Sequence, residues 1–98
     1  MILFYAEQAR EAAPDNAYYH HQLAALYTRS GDDAAAMQAY QVLVQRFPDN
    51  VAGLEKLARL QAAMDRPRAA LATYERLLSR TGDRPKVRRQ MLELHVRL

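Results

Sequence analysis

The sequence contains no cysteine and only three glycines in 98 residues. Without cysteine, neither a disulfide nor a thiolate-bound zinc ion can strengthen so short a chain, which depends on its apolar core for stability. The three glycines are isolated from one another, so the chain has no glycine-rich phosphate-binding loop. The alternation of β-branched and polar residues that is typical of strands is also missing. These absences favour a small all-α protein.

Long apolar runs are absent as well. No stretch approaches the roughly 18 to 20 apolar residues that cross a bilayer, and the first ten residues lack the basic start and the long apolar segment of a signal peptide. We therefore expect a soluble chain without membrane insertion. The lack of cysteine suits both the cytoplasm and the periplasm, so the compartment stays open between them.

Side chains that carry catalysis or bind metals are few and poorly spaced. His20 and His21 are neighbours in sequence and point about 100° apart on a helix, which does not suit two ligands of one metal. The only serines, Ser30 and Ser79, have no histidine and acid nearby to activate them. We expect no enzymatic activity, no metal and no cofactor.

What the chain does have is an internal repeat. Residues 17–50 and 51–84 align end to end at a spacing of 34 residues without a gap, and nine positions are identical in the two copies. A period of this length is typical of solenoids, in which neighbouring units bury one another's apolar faces. The identical pairs are Leu23/Leu57, Ala24/Ala58, Leu26/Leu60, Ala35/Ala69, Ala36/Ala70, Tyr40/Tyr74, Leu43/Leu77, Arg46/Arg80 and Asp49/Asp83.

Good helix formers dominate between short polar breaks, which predicts six helices. Gly31 and Asp65 are suited to the left-handed conformation that ends a helix. Asn16, Asn50 and Asp83 are predicted N-caps, Asp32 and Asp33 cap the third helix, and Pro67 suits a first helical turn. The predicted helices span residues 2–12, 17–30, 33–47, 51–64, 67–80 and 85–97.

The residues at fixed places in each unit carry a family resemblance. In the first unit they are Leu23, Ala24, Tyr27, Gly31, Asp32, Ala36, Tyr40 and the run Pro48-Asp49-Asn50. In the second they are Leu57, Ala58, Ala70 and Tyr74. This pattern resembles the tetratricopeptide repeat, in which small residues let the paired helices cross closely and the tyrosine fills the space beside them. The second unit departs from it at Gln61, where an aromatic residue is usual, at Asp65 and at Gly82.

The flanking segments extend the resemblance to the whole chain. Residues 1–16 resemble the second helix of a preceding repeat, and residues 85–98 resemble the first helix of a following one. In that last helix His95 falls where the family often has a packed aromatic ring, so the resemblance implies a packed imidazole there. The resemblance implies one domain over residues 1–98, all-α, with antiparallel helix-turn-helix repeats stacked as a short right-handed α-solenoid. It also implies that the chain is a fragment of a longer protein.

Charge divides unevenly along the chain. Residues 1–50 have three basic and six acidic side chains, a net charge of about −3, whereas residues 51–98 have eleven basic and five acidic ones, about +6. This uneven charge distribution steers negatively charged partners toward the basic half. Arginine dominates this half, and its guanidinium suits bidentate contact with carboxylates and phosphates.

The resemblance implies a protein-protein interaction scaffold that binds a peptide or a partner domain in a concave groove lined by the first helices of its repeats. The cationic residues of this groove suit an acidic partner. The family's clamp for terminal carboxylates is not reproduced, because His21 and Ala25 stand where it has lysine and asparagine. The predicted groove residues are Tyr18, His21, Thr28, Glu55, Arg59, Lys86, Arg89 and Glu93.

Two other functions remain open from the sequence. The basic half could bind nucleic acid, although few aromatic residues lie among its arginines to stack on bases, so we do not expect this. The two end helices could instead join copies of the chain into a homo-oligomer. Ile2 and Leu92 argue against a close fit between the end helices of two copies, because both are bulky where the repeat prefers small residues.

Overall fold

A computed structural model describes the backbone of residues 2–98 and the side chains of residues 4–98. Within that range all regular secondary structure is α-helical, and every helix begins and ends within one residue of its predicted bounds. The side chain of Ile2 lies outside the described residues. The helices are α1 (Ile2–Ala12), α2 (Ala17–Arg29), α3 (Asp33–Arg46), α4 (Val51–Ala63), α5 (Pro67–Thr81) and α6 (Pro85–Arg97).

The chain forms two compact units, Met1–Asn50 with α1 to α3 and Val51–Leu98 with α4 to α6. In each unit a helical hairpin, α2 with α3 or α4 with α5, forms the most extensive helix pair, and the remaining helix packs against it. Five of the nine positions that are identical in the two repeats are buried in both hairpins, as close crossing of two helices requires. Side chains that are at most 3% exposed include Leu23, Ala24, Ala36, Tyr40 and Leu43 in the first unit and Leu57, Ala58, Ala70, Tyr74 and Leu77 in the second.

The tight turns adopt the backbone conformations that their residues predict. Gly31 has a φ of 82° and Asp65 a φ of 60°, both in the left-handed region that ends a helix. A Cβ at Gly31 would meet nothing within 4 Å, so this position favours glycine for its backbone conformation and not for lack of space. Aspartate is one of the few other residues that tolerates such a φ, which explains its use in the second repeat.

Two of the predicted helix caps are confirmed and one is wrong. The side chains of Asn16 and Asp32 accept hydrogen bonds from the backbone N–H groups of the first turns of α2 and α3. Asp83 does not cap α6, because Pro85 is the first helical residue and the extended Arg84 before it occupies the N-cap position. The Asp83 carboxylate instead accepts a hydrogen bond from Arg88 Nε.

The three histidines have different environments. His20 is 2% exposed; its Nε2 donates to the Pro14 carbonyl at 2.7 Å, and its ring meets the edge of Phe47. The expectation of a packed imidazole at His95 is wrong, since this residue is exposed. His95 lies about 100° round α6 from the buried Leu94, where no neighbouring helix covers it within the described residues.

The departure at Gln61 is explained by a buried polar pair. Gln61 and Thr73 are 6% and 4% exposed, and Thr73 Oγ1 donates to Gln61 Oε1 at 2.6 Å. Where the family prefers an aromatic side chain, the second repeat therefore has a hydrogen bond between α4 and α5. A buried amide is tolerated in a core when its polar atoms are paired in this way.

We expect Thr73→Val to lower the free energy of unfolding by about 1 to 3 kcal/mol, because it leaves the buried Gln61 carbonyl without a donor. Adding Gln61→Leu should recover most of this loss, since both partners are then apolar. Urea denaturation of Thr73→Val, of Gln61→Leu and of the double variant measures the coupling between the two side chains. Thr28→Val is the matched control, because Thr28 is exposed. Additive effects of the two core substitutions would contradict the pairing.

Candidate functional site

The second unit has two adjoining surface pockets between α4 and α6, which we call together the α4–α6 groove. The larger pocket, of about 410 Å³, lies at the start of α6, and the smaller one, of about 220 Å³, lies further along that helix. Arg59 and Gln90 line both. The other lining residues are Glu55, Asp83, Arg84, Pro85, Lys86 and Val87 in the larger pocket and Ala62, Tyr74, Glu93, Leu94 and Arg97 in the smaller one.

The periodicity of α6 explains its contribution to the groove. Lys86, Gln90, Glu93 and Arg97 are spaced three and four residues apart and so share one side of the helix. Packing of the buried Val87 and Leu94 sets the rotation of α6 about its axis and thereby which residues reach this side.

Charges in the larger pocket are only partly neutralised. Arg59 pairs with Glu55 one turn earlier on α4, at 2.9 Å, and Asp83 pairs with Arg88. Arg84 and Lys86 are exposed and make no ion pair within residues 4–98. The carboxylates that line this pocket are therefore occupied, while two of its cations are available to a ligand.

The smaller pocket has an aromatic floor and a fixed arginine. Tyr74 is 2% exposed, and burial raises the pKa of its phenol above the usual value; nearby Arg59 lowers this pKa and Glu55 raises it. The phenol is thus a neutral group at physiological pH. At the far end, Arg97 bonds the Asp65 carboxylate at 3.1 Å and approaches the Ala62 carbonyl, which holds its guanidinium in place.

Of the predicted groove residues in this unit, Glu55, Arg59, Lys86 and Glu93 line the two pockets and Arg89 lines neither. Arg89 follows Lys86 by three residues but sits about 100° round the helix from Gln90, away from α4. Sequence reasoning missed Arg84, Gln90 and Arg97. The spacing from Lys86 and Glu93 indicates Gln90 and Arg97 once α6 is known to present that side, which a single sequence does not reveal.

The three predicted groove residues of the first unit have separate environments. Tyr18 is 62% exposed and meets Tyr19 edge to face. His21 is half-buried; its Nε2 donates to Asn50 Oδ1 at 3.0 Å, and its ring meets that of Tyr40. The Thr28 hydroxyl donates to the Ala24 carbonyl within α2. Tyr18 and Thr28 are therefore exposed, whereas His21 is half-buried.

The described residues form neither a metal cluster nor a membrane-spanning helix. Within residues 4–98 no three histidine, aspartate or glutamate side chains gather as metal ligands would. In the same part of the chain no helix combines the length and the apolar character needed to span a bilayer.

Comparison with known proteins agrees with the repeat pattern. Two family models, both described as the tetratricopeptide repeat, match residues 19–60 and residues 53–80, and together they span both repeats seen in the sequence. The chain therefore belongs to the tetratricopeptide-repeat family, whose repeats are non-catalytic scaffolds for protein–protein interaction. A search of curated proteins found no significant match.

Among solved structures, the fold is similar to that of the first tetratricopeptide-repeat domain of Spaghetti (RPAP3), determined with a bound HSP90 peptide of sequence SRMEEVD. The TM-score is 0.79 at 16% sequence identity, and the match covers 95% of this chain and 76% of that one. At this level of identity the similarity establishes the all-α fold of helical repeats.

Proposed function

We propose that this chain is a protein-interaction module that binds an acidic peptide segment of a partner protein in the α4–α6 groove. The observation that carries the proposal is the pair of available cations, Arg84 and Lys86, at a pocket of about 410 Å³. This volume lies in the range of ligand sites, roughly 300 to 1,000 Å³. A carboxylate placed here would meet cations that do not first have to leave another partner.

The groove also has places for apolar side chains. Val87 and Leu94 are 6% and 3% exposed and form part of its walls, and Tyr74 lies on the floor of the smaller pocket. A segment in which acidic residues alternate with apolar ones therefore fits better than a uniformly charged one, because apolar contact adds affinity that salt does not screen.

The bound peptide in the Spaghetti domain supports peptides as the ligand class. This chain lacks the family's clamp for the terminal carboxylate of a peptide, because His21 and Ala25 stand where that clamp has lysine and asparagine. The His21 ring nitrogen is already bonded to Asn50. We therefore propose recognition of acidic side chains within a segment, without a requirement for a free C-terminus.

Two versions of the SRMEEVD peptide test this distinction. We expect the free acid and the C-terminal amide to bind this chain with affinities equal within about twofold, because no clamp grips the terminal carboxylate. Isothermal titration calorimetry measures both, and the charge-reversed peptide SRMKKVK is the control for attraction to acidic side chains. A free acid that binds more than tenfold tighter than the amide would contradict the proposal.

Nucleic-acid binding is the second candidate, and the net charge of about +6 in residues 51–98 favours it. The two functions differ in salt dependence, because binding to a polyanion releases counterions and falls steeply with salt. We expect a fluorescent acidic-apolar peptide to remain bound when sodium chloride rises from about 50 to about 200 mM, and a single-stranded oligonucleotide to dissociate. If the oligonucleotide stays bound at about 200 mM sodium chloride while the peptide dissociates, nucleic-acid binding is favoured and peptide binding is overturned.

A further inference from the structure

The outward faces of α1 and α6 carry most of the large apolar side chains that the described residues expose. Phe4 and Tyr5 on α1 are 55% and 61% exposed, and Leu92 and Val96 on α6 are 65% and 82% exposed. Single exposed apolar residues are ordinary on a protein surface, whereas apolar side chains grouped on one helix face mark an interaction surface. On α6 this face points away from the α4–α6 groove, so it is a separate surface.

Each face combines its apolar side chains with an ionised residue two helical turns away. Glu11 follows Phe4 by seven residues, and Arg89 precedes Val96 by seven, so both spacings are about 10 Å along the helix axis. Residues seven apart lie on nearly the same side of a helix. Neither Glu11 nor Arg89 makes an ion pair within residues 4–98.

The order of these features is opposite on the two helices. On α1 the apolar side chains come first and the carboxylate later, whereas on α6 the guanidinium comes first and the apolar side chains later. Two helices with these patterns match only when they run antiparallel. A parallel pairing would place Arg89 on Phe4 and Glu11 on Val96, which removes both charges from water without a partner.

We propose that the outward face of α6 in one copy of this chain docks antiparallel on the outward face of α1 in a second copy. In this pairing Val96 packs against Phe4, Arg89 faces Glu11, and Leu92 lies between these two contacts over the middle of α1. The occupant is a second copy because both complementary faces are present on the same chain, with equal spacing and opposite charge.

The charges of the two halves favour the same contact. Residues 1–50 carry a net charge of about −3 and residues 51–98 about +6, so the first half of one copy attracts the second half of another. The contact is heterologous, because it joins two different surfaces of the chain. Each surface can therefore be altered separately, and neither alteration touches the residues of the proposed peptide site.

Charge reversal on one face at a time tests the docking. We expect the parent chain to associate in sedimentation velocity between about 5 and about 500 µM, and Glu11→Arg or Arg89→Glu alone to weaken association at least tenfold. An equimolar mixture of the two variants should associate again, because each mutated face then meets a complementary one on the other variant. Raising the salt concentration should weaken association of the parent and of the mixture alike.

Two controls separate docking from changes in net charge or folding. Glu75→Arg and Arg68→Glu make the same charge changes at exposed positions of α5 and should leave association unchanged. Circular dichroism melts check that each variant is folded. A monomeric parent at about 500 µM, single variants that associate like the parent, or a mixture that stays monomeric would each overturn the proposal.

Discussion

Replacing Tyr74 by alanine should lower the free energy of unfolding by about 3 to 5 kcal/mol, a large part of the roughly 5 to 15 kcal/mol that stabilises a typical domain. Tyr74 is 2% exposed and occupies the equivalent place in the second repeat to Tyr40 in the first. Its removal leaves a cavity beneath the α4–α6 groove that the surrounding helices, α4 to α6, cannot fill without shifting. Urea denaturation followed by circular dichroism measures the loss.

Tyr18→Ala is the matched control for this prediction, because it makes the same chemical change at a side chain that is 62% exposed. We expect this variant to stay within about 0.5 kcal/mol of the parent. Tyr74→Phe should be far milder than Tyr74→Ala, since it retains the ring that fills the core. Equal midpoints for Tyr74→Ala and Tyr18→Ala would show that Tyr74 is not a core residue of the second unit.

The second large effect concerns peptide capture. Arg84→Ala combined with Lys86→Ala should weaken binding of an acidic-apolar peptide by more than tenfold, about 1.4 kcal/mol or more, because both available cations of the larger pocket are lost together. The peptide for this measurement is one selected for binding to the parent chain from a random library. Fluorescence anisotropy gives the two affinities at equal ionic strength.

Arg68→Ala with Arg76→Ala is the control, since it removes the same charge from exposed positions of α5 that line neither pocket. Any loss that the control shares with the groove variant is due to long-range attraction and not to local contact. Arg89→Ala should likewise have little effect on the peptide, because Arg89 faces away from the groove. Unchanged capture by a folded Arg84→Ala/Lys86→Ala variant would rule out the groove as the binding site.

The fold was largely predictable because its signals are local. Helix ends depend on a few neighbouring residues, and Gly31, Asp65 and Pro67 act through backbone preferences that hold in almost any context. The failure at Asp83 has the same origin: two capping signals competed within three residues. The proline that must begin α6 prevailed, and it moved the N-cap to Arg84.

The candidate site was predictable only in part. The repeat pattern indicates which helices line a groove, and four of the predicted residues of the second unit do line the pockets between α4 and α6. Where Arg89 and Gln90 point depends on the rotation of α6 about its axis. That rotation depends on how Val87 and Leu94 pack against neighbouring side chains, and a 100° error moves a residue out of the groove.

The sequence by itself determined the all-α class, the number and bounds of the helices, the 34-residue repeat and the opposite charges of the two halves, because periodicity, turn residues and composition act over short distances. Tertiary structure decided which ions are paired, that Gln61 is satisfied by Thr73, that His95 is exposed, and which side of α6 faces α4. These features depend on distances between residues far apart in the chain, which only the packing of one helix on another determines.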